Sequence, residues 1–164
     1  MAKRDGFVAA VVLIGLVAAA YFVREEEEVV SGFAQAIDGD SLRLDGRDVR
    51  LSGIDAPELR QSCESREGRE YPCGDVARRA LRDMLAGRIA TCRLSGRDRY
   101  GRSLASCEAG GADVGAALVR RGHAVAYRRY EREEAAARRE ALALWAGTFE
   151  RPWEWRKARG QEAR

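Results

Sequence analysis

From residue 29 onward the chain alternates short apolar runs with polar turns, and the period of that alternation changes along its length. Val29–Ile37 reads as a first strand, with Phe33 and Ile37 apolar. Leu42–Leu44 and Val49–Ile54 alternate on either side of Asp45-Gly46. Asp-Gly between two such runs predicts a hairpin turn. Ala56-Pro57 ends the third strand, because proline cannot pair onward in a ladder. Leu59 to Gly74 is polar, charged and aperiodic, which predicts a loop. The period then becomes helical. Val76, Ala80, Leu81, Met84 and Leu85 recur at helix spacing behind Asp75, and Gly87 closes the element. Ile89–Leu94 and Ser103–Cys107 are the next strands, joined by the loop from Gly96 to Arg102. Asp113 caps a second helix carrying Val114, Ala117, Leu118 and Val119, and Gly122 stops it. A short extended piece follows at His123–Tyr127. Glu131 to Ala146 then predicts a third helix, rich in alanine and arginine, with Ala135, Leu142 and Trp145 on its apolar side. Phe149, Trp153 and Trp155 cluster near Pro152 and are expected to dock onto the domain.

A three-stranded meander, a helix and two further strands is the order of a five-stranded OB barrel, with the helix plugging one end. The expected fold class is α+β, mainly β: one such barrel with three helices, over residues 32–156. Residues 157–164 are expected to fray. Ahead of the barrel, Lys3 and Arg4 precede an apolar run of 17 residues from Phe7 to Val23, and Glu25–Glu28 follow it. That length favours a transmembrane anchor over residues 1–24, with 25–31 as an acidic spacer. The positive flank would keep the N-terminus in the cytoplasm and put the domain outside, held at the inner membrane. Ala18-Ala19-Ala20 leaves a cleaved, secreted form as the alternative.

Composition adds two points. Of the 29 basic residues only Lys3 and Lys157 are lysines. Arginine matches phosphate bidentately, but codon bias in a GC-rich genome produces the same excess, so each arginine needs its own argument. The four cysteines, Cys63, Cys73, Cys92 and Cys107, suit an oxidising compartment and allow three pairings. Zinc is a poor competitor, since no C-x-x-C occurs and the single histidine, His123, is remote in sequence.

The candidate chemistry gathers around the first hairpin. Asp40 lies just before it, and Asp55 and Glu58 lie just after it. A hairpin's entry and exit share one end, so these carboxylates should converge into an oxygen-rich site for a hard cation. Arg50, inside a strand among apolar neighbours, needs a carboxylate or phosphate partner. Arg102 ends a loop with glycines at both ends, which can return its guanidinium to the same rim. Singly, Asp40 reads as a turn residue and Asp55 as a loop start; together they favour a site. His123 follows a helix-stopping glycine far from these motifs and reads as a packing or surface residue.

I-D-G-D-S at 37–41, R-L-S-G-I-D-A-P-E at 50–58 and D-R-Y-G-R at 98–102 resemble the signature of the staphylococcal nuclease (thermonuclease) family. L-V-R-R-G-H-A-V-A-Y at 118–127 and A-L-W-A-G at 143–147 are similar too, and P-W-x-W-R with paired cysteines resembles its exported bacterial branch. The resemblance implies Ca²⁺-dependent hydrolysis of DNA and/or RNA, leaving 3′-phosphate and 5′-hydroxyl ends. By that likeness Asp40, Asp55 and the backbone carbonyl of Ala56 hold Ca²⁺. Glu58 activates or positions water, and Arg50 and Arg102 neutralise the transition state. Arg99, Tyr100 and Tyr127 match positions that contact a terminal phosphate and stack near a base. Two positions depart from the family type: Ala56 stands where threonine is usual, and Ser41 likewise. Cys63–Cys73 would close the loop after Glu58, and Cys92–Cys107 would join two paired strands. The chain is expected to act as a monomer. A noncatalytic OB module binding nucleic acid or protein is the competing reading; retention of Asp40, Arg50, Asp55, Glu58 and Arg102 favours the enzyme.

Overall fold

The computed structural model describes residues 28–160. The anchor expected over residues 1–24 lies outside them. Among the described residues no helix is long and apolar enough to cross a membrane.

Strand β1 is Val29–Ala36, β2 is Ser41–Leu44 and β3 is Arg47–Leu51. The β2–β3 turn is made by Asp45 and Gly46, with φ of 50° and 72°. Positive φ at both central residues is what a tight type I′ hairpin requires, and the Asp-Gly pair supplies it. The turn sets the register Leu42↔Val49, which turns Leu42, Leu44, Val49 and Leu51 inward, all essentially buried. Beyond Leu51 the chain bends at Ser52-Gly53, so the single strand expected over Val49–Ile54 is split. Its far piece, β4 (Ile54–Asp55), pairs with β10 (Val125–Ala126) in a separate two-stranded sheet.

The segment expected to be a loop from Leu59 to Gly74 contains a small hairpin, β5 (Cys63–Glu64) with β6 (Glu70–Tyr71). Helix α1 follows at Cys73–Leu85, two residues earlier than Asp75 predicts, and buries Ala77, Leu81 and Leu85. Strand β7 is Ile89–Arg97, β8 is Ser103–Ala109 and the short β9 is Ala112–Asp113. The six-stranded sheet runs β3-β2-β1-β7-β8-β9, and a parallel pairing of β3 with β8 closes it. Five strands thus form a barrel with no free edge at the seam. α1 packs against β1, and the main core gathers the inward residues of all five strands with α1 and α2 (Val114–Arg120). Asp113 caps α2, accepting from the Ala116 N–H at 2.9 Å.

The third predicted helix is two elements. α3 is Glu131–Arg139, and a 3₁₀ turn occupies Ala143–Ala146. Between them Ala141 takes φ of 50°, and the Leu144 N–H donates to the Gly122 carbonyl at 3.1 Å. The Thr148 N–H then donates to the Glu64 carbonyl at 3.0 Å. Alanine-rich composition favours a continuous helix, but these tertiary bonds turn the chain back toward the β5–β6 hairpin. The last element is α4, Pro152–Ala158, with proline in its first turn and Glu154 accepting from the Arg151 N–H. Lys157 and Ala158, expected to fray, are helical. Trp155 is buried and Phe149 packs against Cys63, Cys73 and Leu144, so the expected docking holds for these two rings, whereas Trp153 is 43 % exposed. Both expected disulfides are present, Cys63–Cys73 and Cys92–Cys107, the second joining the paired strands β7 and β8.

Candidate active site

The acidic residues converge at the end of the first hairpin where the chain enters and leaves. Asp40 precedes β2, with its backbone N–H bonded to the Asp38 carboxylate at 2.9 Å. Asp55 ends β4. Arg50, on β3, joins them: one terminal nitrogen donates to Asp40 Oδ1 at 2.8 Å and the other to Asp55 Oδ1 at 3.0 Å. The Ser41 hydroxyl adds a bond to Asp40 Oδ1 at 3.1 Å, and the Ala56 N–H one to Asp40 Oδ2 at 3.1 Å. Burial pushes the Asp40 carboxyl up to about 7, against the pull of Arg50. For Arg50 burial works against its charge, but Asp40 and Asp55 outweigh it and hold the guanidinium more firmly protonated than usual.

Glu58 is placed by the loop after Pro57. Its N–H donates to the side-chain oxygen of Gln61 at 3.2 Å, and its carbonyl accepts from the Gln61 N–H at 2.7 Å. Gln61 is fully buried and donates its amide to the Glu150 carbonyl at 2.6 Å, tying this loop to the segment before α4. α1 begins directly beneath: a Cβ on Gly74 would lie 1.8 Å from the Glu58 carbonyl oxygen, so only glycine allows the approach.

Arg102 reaches the same place from the β7–β8 loop. Asp98 organises that loop by accepting from the Tyr100 and Arg102 N–H groups, each at 2.9 Å, and from Arg102 Nε at 2.8 Å. Burial would raise the Asp98 carboxyl, but the Arg102 bonds prevail and hold it below the usual range. Arg102 then donates to the Ser41 hydroxyl at 3.3 Å. Arg99 and Arg102 both lie over the Tyr100 ring, 4.9 and 5.4 Å from its centroid.

These groups line one cavity of about 760 Å³, which includes Arg50, Asp55, Glu58, Arg99, Tyr100, Arg102 and Tyr127. Asp40 backs it through Arg50. The Ala56 contribution visible here is its N–H toward Asp40, whereas its carbonyl was the expected ligand. His123 is not part of the cavity. It lies beside a second one, near Tyr71 and Leu144, and burial lowers its pKa. Among the lining residues that the sequence reading did not assign to the site are Asp38 and Asp98 and, from α4, Trp153 and Arg156. For the two from α4 the only signal was an arginine following the tryptophans of the tail.

All the acidic donors are oxygen, which in kind suits a hard divalent ion. Among the described residues, however, no three acidic, histidine or cysteine side chains stand as a ready ligand cluster. Guanidinium groups lie between the carboxylates.

A closed five-stranded barrel of OB type thus carries paired acids and arginines beside exposed aromatic rings. A family model described as Staphylococcal nuclease homologue matches residues 48–147, and the chain belongs to that family. The succinoglycan biosynthesis protein ExoI of Rhizobium meliloti (strain 1021) is 39% identical over 117 residues, covering 68% of this chain and 61% of ExoI. The probable staphylococcal-like nuclease CAN4 of Oryza sativa subsp. japonica is 31% identical over 119 residues, covering 68% of this chain and 22% of its own. The staphylococcal-like nuclease CAN1 of Arabidopsis thaliana is 33% identical over 112 residues, covering 64% and 32%. The chain therefore spans less than two thirds of each of these relatives.

Proposed function

We propose that this protein is a Ca²⁺-dependent phosphodiesterase that hydrolyses DNA and/or RNA with low sequence specificity, leaving 3′-phosphate and 5′-hydroxyl ends. The observation that carries the reading is Arg50 bridging Asp40 and Asp55 on the cavity wall that Glu58 and Arg102 also line. Asp40 and Asp55, with the Ala56 carbonyl, would hold Ca²⁺, which supplies Lewis-acid stabilisation of a phosphoryl oxygen. Glu58 accepts a proton from the attacking water as the water oxygen bonds to phosphorus. The bond from phosphorus to the 5′ oxygen breaks, that oxygen takes up a proton from solvent water, and Glu58 returns its proton to solvent. Arg50 and Arg102 donate to the phosphoryl oxygens as charge builds there, and fixed donors at such a point are the largest catalytic term. Arg102 is held by Asp98, which lies outside the proposed ligand set, and Arg50 by Asp40 and Asp55.

Arg99 serves a terminal phosphate, and Tyr100 and Tyr127, about half exposed, offer faces for bases. Stacking accepts any base, which suits a nonspecific enzyme. The two disulfides favour an oxidising compartment outside the cytoplasm, and the proposal includes the N-terminal anchor. Digestion of an end-labelled oligonucleotide tests the chemistry. Products accepted by polynucleotide kinase without prior phosphatase treatment carry 5′-hydroxyls, as expected; 5′-phosphate ends would refute the assignment of the bond broken.

A further inference from the structure

Arg156 enters the acidic rim from the opposite end of the chain. It lies on α4 directly after the buried Trp155, and the helix is tied down through Gln61 and Glu150. One terminal nitrogen donates to Asp55 Oδ1 at 3.0 Å and to Glu58 Oε1 at 2.9 Å; the other donates to Asp55 Oδ2 at 3.1 Å. Arg50 also uses Asp55 Oδ1, so both oxygens of Asp55 and one of Glu58 face guanidinium N–H groups. The side chain is only 19% exposed, so solvent screens these bonds weakly.

A divalent ion ligated by Asp55 needs the oxygen lone pairs that Arg156 now engages. Arg50 and Arg156 already share Asp55, and a third, divalent charge beside them adds strong repulsion where solvent is scarce, so the ion must take the place of one of them. We propose that Arg156 is an internal counter-ion of the site, which a divalent cation must displace from Asp55 and Glu58. α4 thereby sets how tightly the site takes its ion. The proposal rests on the reading of the site as a calcium site. Displaced, the guanidinium remains beside the cavity that Tyr127 and Trp153 also line.

A purely structural arginine would behave in the opposite way. If Arg156 only pinned α4 and steadied Glu58, its loss would loosen the ligands and weaken cation binding. As a competitor, its loss strengthens binding. Calorimetric titration of Ca²⁺ into the full chain and into Arg156→Gln decides between the two, with a melting curve for each to establish that both are folded. The expected result is a dissociation constant about tenfold lower in Arg156→Gln, the scale of one charge-assisted hydrogen bond. Arg156→Lys keeps the charge and loses the two-pronged fork, and should fall between the two; it also supplies the measurement if Arg156→Gln does not fold. Equal or weaker binding in the folded variants overturns the proposal while leaving the calcium reading intact. No Ca²⁺ binding by any of the three chains overturns both.

Discussion

At the scale of single residues, the account turns on which charges are held and by what. Arg50→Lys keeps a cation between Asp40 and Asp55 but loses the fork, and should lower kcat by about 10². Arg50→Ala should unfold more readily as well, since breaking a buried ion pair costs about 3–5 kcal/mol; a melting temperature equal to the parent would contradict the pairing. Asp40 gives a pH dependence whose sign follows from its burial. Its folded value of about 7 lies above the ordinary 3.8, so the fold favours the protonated form. The stability this confers is complete below pH 3.8 and is lost as pH rises through about 7. A divalent ion binds the ionised carboxylate and opposes that loss. Ca²⁺ should therefore raise the melting temperature more at pH 8 than at pH 6, and equal shifts at both would count against Asp40 as a ligand.

At the scale of elements, the site depends on three connections: the first hairpin, the loop of residues 56–74 and α4. The hairpin was legible because Asp45-Gly46 and the alternation around it are local signals. So was the convergence of Asp40, Asp55, Glu58 and Arg102 on one rim, since each lies in a short motif. The β5–β6 hairpin was not legible, because strands of two residues carry no period. α3 was read too long because alanine and arginine favour helix, and nothing nearby in sequence reports the bonds to Gly122 and Glu64. Arg156 was missed for the same reason: about a hundred residues separate it from the carboxylates it joins; Trp153 lines the same cavity from the same distant helix. Gln61 is the joint between the loop and the tail. Gln61→Ala strips partners from the Glu58 N–H and the Glu150 carbonyl and should cost about 1–3 kcal/mol in denaturant unfolding. It should also lower kcat, since Glu58 is then less firmly placed; an unaffected kcat would separate stability from positioning. Reduction of Cys63–Cys73 opens the same loop and should cost about 2–3 kcal/mol, read as a lower denaturant midpoint.

At the scale of the whole molecule, the closed barrel is a rigid frame that brings β3, β4, the β7–β8 loop and α4 to one cavity. Tyr100, Tyr127 and Trp153 stand around it with their faces partly free. Replacing any one by alanine should weaken substrate binding by about 1–3 kcal/mol, seen as a higher KM with kcat little changed, and equally for substrates of different sequence. A loss confined to one base would contradict stacking. The claim on which the rest depends is that these carboxylates and guanidiniums hydrolyse nucleic acid with a bound divalent ion. The most direct test is the rate at which the purified chain cleaves plasmid DNA and RNA, with Ca²⁺ and with excess chelator, alongside Glu58→Gln. The account predicts cleavage of at least one substrate with Ca²⁺, none with chelator, and a rate about 10² to 10³ lower for the variant. Equal cleavage with and without Ca²⁺, or an undiminished rate in Glu58→Gln, would contradict it.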